Sequence, residues 1–274
     1  MPANAKQQQQ LKDYMEAFNQ PNALIELEEG NYANTGFTQW GASGLAVAWA
    51  EENTRESIFK AFKRKETFAT TGTRIALRFF AGYDLQTIDL DSDNLVSQAY
   101  SKAVTMGSDL MHDENKSPDF LIWAQRDKNG AALQRVQIVK GWIDMGSGTP
   151  YEKVFDVACS DGMNVDPQTN RCPDNGARVN INDCSISQDV GAAELKSYWN
   201  DPEFDPNVKS FYYVRVLENP SCRWSTWDAV KAGFKPREDI HDTIQERAWS
   251  SPIWYIPAVN EYSVIPLGGT VAID

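Results

Sequence analysis

The segment WAEENTRES (49–57) places two adjacent carboxylates, Glu51 and Glu52, at the end of the apolar run GLAVAWA, with Arg55 close behind. Acids at a strand end suit proton transfer or ligand anchoring, because the loops there gather binding and catalytic groups. Alternation along a strand lets at most one of the two point into any given pocket. Their plain structural use is to favour the N-terminus of a following helix, and Arg55 can pair with either. Nucleophilic chemistry has a thinner basis. GASG (41–44) and GSG (146–148) fall short of G-x-S-x-G, and Ser57-Ile-Phe-Lys60 fits S-x-x-K without its S-D-N and K-T-G companions. A metal-independent, esterase-like hydrolase would draw its site from Ser43, Ser57, Glu51, Glu52 and His241.

Metal chemistry is short of ligands. The two histidines, His112 in MHDENKSPD and His241 in REDIHDTIQER, sit in polar, loop-like settings expected at the surface. A catalytic zinc centre usually takes three protein ligands, and a multi-metal site more. DLDSDN (89–94) puts Asp89, Asp91 and Asp93 at the first three positions of a calcium loop, but Asn94 and Tyr100 replace the required Gly and Glu. A structural calcium there, or among Asp161, Asn164, Asp166 and Asp174, is the one cofactor the acidic loops leave room for; otherwise none is expected. Solvated acidic turns are the simpler reading.

The elements that would carry these groups read mainly as β. Leu11, Tyr14, Met15 and Phe18 mark one face of a helix over 7–19, and Gly, Asn and Thr between Glu26 and Gly41 suggest a surface loop. GLAVAWA reads as a short buried strand. Asn53, with Glu56 three residues on, should cap a helix that turns Ile58, Phe59, Ala61 and Phe62 inward and ends near Thr67. In TRIALRFF, Ile75, Leu77 and Phe79 alternate with Arg74, Ala76 and Arg78, the period of a half-buried strand. FLIWAQ and RVQIVKGWI flank Asn129-Gly130, a strong hairpin signal. KVFDVAC (153–159) and FYYVRVLE (211–218) add strands, the latter with Val214 and Val216 opposite Tyr213 and Arg215. Short helices are expected at AAELKSYWN (192–200) and STWDAVKAGF (225–234), the latter with Ser225 as cap and Gly233 as stop. Trp224, Trp227, Trp249 and Trp254 gather beside Arg223, Arg247, Tyr212 and Tyr255, enough for an aromatic core or a sugar-stacking surface.

Bulk properties narrow the partners. The 274 residues, 42% hydrophobic, support one large domain or two small ones. Thirty-eight acids against 26 bases leave a charge of −12, which argues against nucleic acid and anionic lipid. No apolar stretch approaches the roughly 20 residues of a membrane helix. MPANAKQQQQ has neither the basic cap nor the apolar stretch of a secretion signal. Four cysteines allow three pairings, of which Cys159–Cys172 with Cys184–Cys222 is preferred, because the first pair staples the irregular loop SDGMNVDPQTNR. Disulfides imply an oxidising, extracytoplasmic home, periplasmic or secreted.

Long strings carry a stronger signal than any motif. WAEENTRESIFKAFKRKETFATTGTRIALRFFAG, FLIWAQRDKNGAALQRVQIVKGW, DPEFDPNVKSFYYVRVLENPSCRWSTWDA and TIQERAWSSPIWY closely resemble the C-terminal half of a bacterial family known as domain of unknown function 3604, from about Gly36 to Pro257. The resemblance implies kinship with exported hydrolases of the PHP (polymerase and histidinol phosphatase) type, whose multi-metal centre lies in an N-terminal half bearing His-x-His and Asp-x-His. This chain has no His-x-His, and residues 1–35 are too few for that half. On this basis 1–35 is an N-terminal helix and loop, 36–72 the strand–helix remnant of a PHP-like barrel, and 73–274 a β-sandwich with short helices and a stapled loop. The expected class is α+β, mainly β. The expected role is binding or assembly, the partner being a PHP-like catalytic half or a small-molecule substrate; a metal-independent hydrolase and a carbohydrate-binding module are the rivals.

Overall fold

The computed structural model describes side chains for residues 40–113, 116–233 and 235–258, together with the backbone of two short strands nearer the N-terminus. Those two, β1 (Leu24–Leu27) and β2 (Gly30–Ala33), pair as an antiparallel hairpin where the Gly- and Asn-rich sequence suggested a loop. The helix expected over 7–19 lies outside the described residues.

Two antiparallel sheets packed face to face make the body. The smaller runs in the order β13 (Glu194–Asn200), β8 (Asp119–Gln125), β5 (Ala76–Gly82), β6 (Ala103–Thr105). The larger runs β10 (Pro150–Cys159), β9 (Leu133–Ile143), β14 (Ser210–Glu218), β17 (Arg247–Ser250), β4 (Thr67–Thr70), β3 (Leu45–Ala48). At the start of β14 the neighbour is β18 (Ile253–Ile256) in place of β17, and β7 (Asp109–Met111) lies parallel beside β18. Period-two alternation supplies the core, as the sequence predicted for β5 and β14. Leu77, Phe79, Phe120 and Ile122 from one sheet meet Val136, Ile138, Tyr212, Val214 and Val216 from the other. Phe120 lies 4.5 Å from the Tyr212 ring and 5.8 Å from Phe79. The fold is therefore α+β and mainly β, an antiparallel sandwich as expected.

Behind the smaller sheet sits a third, partial layer. Phe80 and Leu121 point away from the main core and are covered by Leu85, Ile88 and α2 (Leu95–Lys102), which contributes Leu95 and Ala99.

Several local expectations need correcting. GLAVAWA forms β3 at the edge of the large sheet, so Leu45 and Ala46 are exposed rather than buried. Helix α1 (Arg55–Lys63) is capped by Thr54, not Asn53, and ends before Thr67. Its buried side is Ser57 and Ala61, while Phe59 and Phe62 stay 60% and 54% exposed. Asn129-Gly130 does make a turn, with the Gly130 N–H donating to Asp127 O (3.0 Å), but β8 and β9 belong to different sheets, so the turn is a crossover and not a hairpin. AAELKSYWN is strand β13, paired with β8 over its whole length. In α3 (Trp224–Ala232) Gly233 is the left-handed stop, as expected, whereas Ser225 lies inside the first turn and accepts from Arg223 (2.7 Å).

Both preferred disulfides form, Cys159–Cys172 and Cys184–Cys222. The second ties β15 (Ser221–Cys222) to the start of β12 (Ser185–Ile186), whose partner is β11 (Val179–Asn180); β15 itself pairs with β16 (Thr243–Ile244). Among the described residues no helix is long and apolar enough to cross a membrane.

Candidate functional site

Beyond β3 the chain turns under the smaller sheet. The Trp49 N–H donates to Glu66 O (3.0 Å) and its indole Nε1 to Leu77 O (2.8 Å), which fixes the ring at the junction of the two sheets. Arg78 projects from the outer face of β5, opposite Leu77 and Phe79, and lays its guanidinium 3.6 Å over the Trp49 ring. That contact is a cation–π stack at close range. From the same guanidinium Nη1 donates to Tyr100 Oη (2.6 Å) on α2, and the Tyr100 hydroxyl donates to Glu66.

Glu66, between α1 and β4, is almost wholly buried and its charge is answered from several sides. Thr105 Oγ1 donates to Oε1 (3.3 Å), and Arg64 bridges Oε2 (3.3 Å). Arg64 in turn reaches Glu51 (3.1 Å) at the solvent edge. The chain Glu51–Arg64–Glu66–Tyr100–Arg78–Trp49 thus lines a cleft of about 490 Å³. Burial, followed by the hydrogen bond to Glu66, pushes the Tyr100 phenol up to about 12, so it remains a proton donor through the physiological range. At the rim, a hydrogen bond from its own backbone amide and then one from Ser57 hold the Glu51 carboxyl below the ordinary range.

This arrangement can stack, hydrogen-bond and pair charges. It contains no activated nucleophile. Ser57 Oγ donates to Glu51 (2.9 Å) and accepts the Glu52 N–H (3.1 Å), while Lys60 pairs with Glu56 (2.7 Å), so the S-x-x-K residues do not engage each other.

The expected site residues do not converge. Of them, Glu51 alone lines this cleft. Glu52 and Arg55 are exposed around the start of α1, and Ser43 is exposed in the segment before β3. His241, also exposed, lines a separate open depression of about 820 Å³ with Arg178, Arg223 and Arg247. His112 differs from the surface expectation: half-buried, its Nδ1 lies 2.9 Å from Tyr255 Oη, which donates to Pro206 O.

The acids of these loops are answered by backbone amides and an arginine. Asp89 accepts the Asp91 N–H (3.0 Å), Asp161 accepts the Gly191 N–H (2.8 Å), and Asp174 pairs with Arg178 (3.0 Å). Among the described residues no group of three or more His, Cys, Asp or Glu is placed to hold a metal ion. The four tryptophans do not form one cluster either. Trp224 and Trp227 sit on α3, Trp249 lies against Arg247 on β17, and Trp254 packs on Phe211 from β18.

Arg64, Glu66, Arg78 and Tyr100 carry the cleft and were not singled out by spacing. The outward phase of Arg78 on β5 was visible; its partners come from three other elements.

No curated protein and no solved structure matches the chain. A family model described as a protein of unknown function, DUF3604, matches residues 4–257. Since that match covers nearly all of the sequence, the chain belongs to the DUF3604 family.

Proposed function

We propose that the chain works in binding or assembly, as the C-terminal, non-catalytic portion of a PHP-like hydrolase-family protein in an oxidising, extracytoplasmic compartment. One observation carries this reading: α1 holds Phe59 and Phe62 exposed to water, with Lys63 5.7 Å over the Phe59 ring. Aromatic side chains held in water and bordered by a charged group have the composition of an interface centre with a charged rim. A solvated helix face would instead be expected to turn its phenylalanines inward. The resemblance of WAEENTRES to a barrel rim supports a catalytic domain as the occupant of that surface. With two histidines in the sequence, multi-metal hydrolysis would have to be supplied by such a partner. Two disulfides favour export.

The test is association with the separately produced metal-binding half of a full-length relative, followed by sedimentation. Association is expected, and Phe59→Ser with Phe62→Ser should weaken it at least tenfold while leaving the circular dichroism unchanged. Equal binding by the double variant would overturn the reading. So would chelator-resistant turnover of aryl esters by this chain alone that a single serine substitution abolishes.

A further inference from the structure

Glu218 is the last residue of β14 and has no solvent exposure. Alternation along β14 puts Glu218 on the inward face with Tyr212, Val214 and Val216, and the register with β9 shifts between Leu217 and Glu218. Such a bulge breaks the alternation, and here Val216, Leu217 and Glu218 are buried in succession. Among the described residues neither carboxylate oxygen has a hydrogen-bond partner. Thr73 and the Ala131 N–H lie near enough to ease its ionisation, yet neither meets ordinary hydrogen-bond geometry, and Thr73 Oγ1 is itself unpartnered.

The carboxylate faces a cleft of about 530 Å³ that Glu246, Thr73, Gly130, Trp224 and Trp227 also line. Glu246, between β16 and β17, adds a third buried carboxylate oxygen without a partner among the described residues, Oε2. Gly130 closes the opposite wall. A Cβ there would stand 3.0 and 3.2 Å from the two Glu218 oxygens, so any side chain at this turn would press on the acid. Among the described residues no lysine or arginine lines the cleft. Both indoles already attract cations: Arg223 stands 5.4 Å over Trp224, and Lys231 stands 5.1 Å over Trp227.

A buried carboxylate without a partner is costly, and a second acid facing it raises that cost. A charge from outside would relieve both. We propose that this cleft binds a small free organic cation, an alkylammonium or guanidinium group, whose charge neutralises Glu218 and Glu246 while its apolar stem lies against Trp224 and Trp227. The volume falls in the range of small-molecule sites. The cleft shares no lining residue with the Trp49 cleft, so the assembly role and this site stand or fall separately.

Charge coupling gives the site a signature. Burial, and then the neighbouring acids Glu246 and Asp127, raise the Glu218 carboxyl to about 7 against the easing contacts of Thr73 and Ala131. Asp127 is itself answered by the Asn129 and Arg74 N–H groups (2.9 Å each). Ionised Glu218 is the form that holds a cation.

The experiment is a titration of the whole chain with agmatine, followed by tryptophan fluorescence. Saturable binding is expected, about tenfold tighter at pH 8 than at pH 6. Glu218→Gln should weaken it at pH 8 by more than tenfold and remove the pH dependence. Glu246→Gln, expected to weaken it less, keeps the test decisive should the first variant not fold. No saturation by about 10 mM agmatine, or unchanged affinity in either folded variant, would overturn the proposal. Tighter binding of n-butylurea or cellohexaose would assign the cleft to neutral ligands, and tighter binding of tri-arginine to a basic polypeptide. Either result also overturns it.

Discussion

Replacing Glu218 by glutamine should stabilise the free protein in a pH-dependent way. In the unfolded chain this carboxyl titrates near 4.5; in the folded chain, burial together with Glu246 and Asp127 holds it at about 7. Over that interval the folded state keeps a proton that the unfolded state has released. Raising the pH through the interval therefore costs stability, and the cost is complete once the folded group has ionised. At pH 5 little of it has been incurred, and at pH 8 nearly all. The difference for this one group is about 2.5 kcal/mol, or roughly 5 to 10 °C in Tm for a chain of this size. Glutamine has the same shape and cannot ionise, and whatever its buried amide costs is the same at both pH values. Urea denaturation of wild type and variant at pH 5, 6, 7 and 8 isolates the effect, since other titrating groups largely cancel in the comparison. The gap between the two curves should widen with pH by that amount. Parallel curves would mean that Glu218 is solvated or paired in solution, and the argument for an unanswered buried charge would fail with it.

Other outcomes follow from the same structure. Glu66→Ala removes a buried acid that answers Arg64, Tyr100 and Thr105; it should cost about 3 kcal/mol or more and bring the Tyr100 phenol, now raised to about 12, down in an ultraviolet titration. Breaking Cys184–Cys222, which spans 38 residues, should cost about 4 kcal/mol, against about 3 for Cys159–Cys172, which spans 13, with both read from urea midpoints. Gly130→Ala should destabilise by about 1 to 3 kcal/mol because its methyl group meets the Glu218 carboxylate, an effect that Glu218→Ala should relieve in a double-mutant cycle. Glu51→Ala with Glu52→Ala should change the folding free energy by less than about 1 kcal/mol, because both acids are exposed; wholesale unfolding would make them structural caps.

Much of the sandwich can be read from period-two patterns. In β5 and β14 one face is apolar and the other carries Arg78, Tyr213 or Arg215, so burial and phase agree without tertiary information. The patterns fail where pairing overrides local preference. AAELKSYWN is rich in helix formers, yet seven consecutive pairs with β8 hold it extended. Asn129-Gly130 signals a turn but says nothing about which sheets its flanking strands join. The outward Phe59 and Phe62 defeat the helical-face argument because α1 packs through the small residues Ser57 and Ala61.

The acids show why sites are harder to read than strands. Glu51 and Glu52 draw attention because they are adjacent, but they lie beyond the end of β3 and both face water. Glu51 can serve at a rim, where Arg64 and Ser57 meet it at little desolvation cost. Glu218 and Glu246 stand apart in sequence and look like ordinary strand-end acids. A one-residue register shift, a crossover turn ending in glycine and a helix bearing two tryptophans bring them to one cleft. None of these devices has a residue pattern of its own, because each is set by where another strand pairs. What distinguishes the second pair is that three of its carboxylate oxygens are buried without a partner among the described residues, and that is a property of the assembled fold alone.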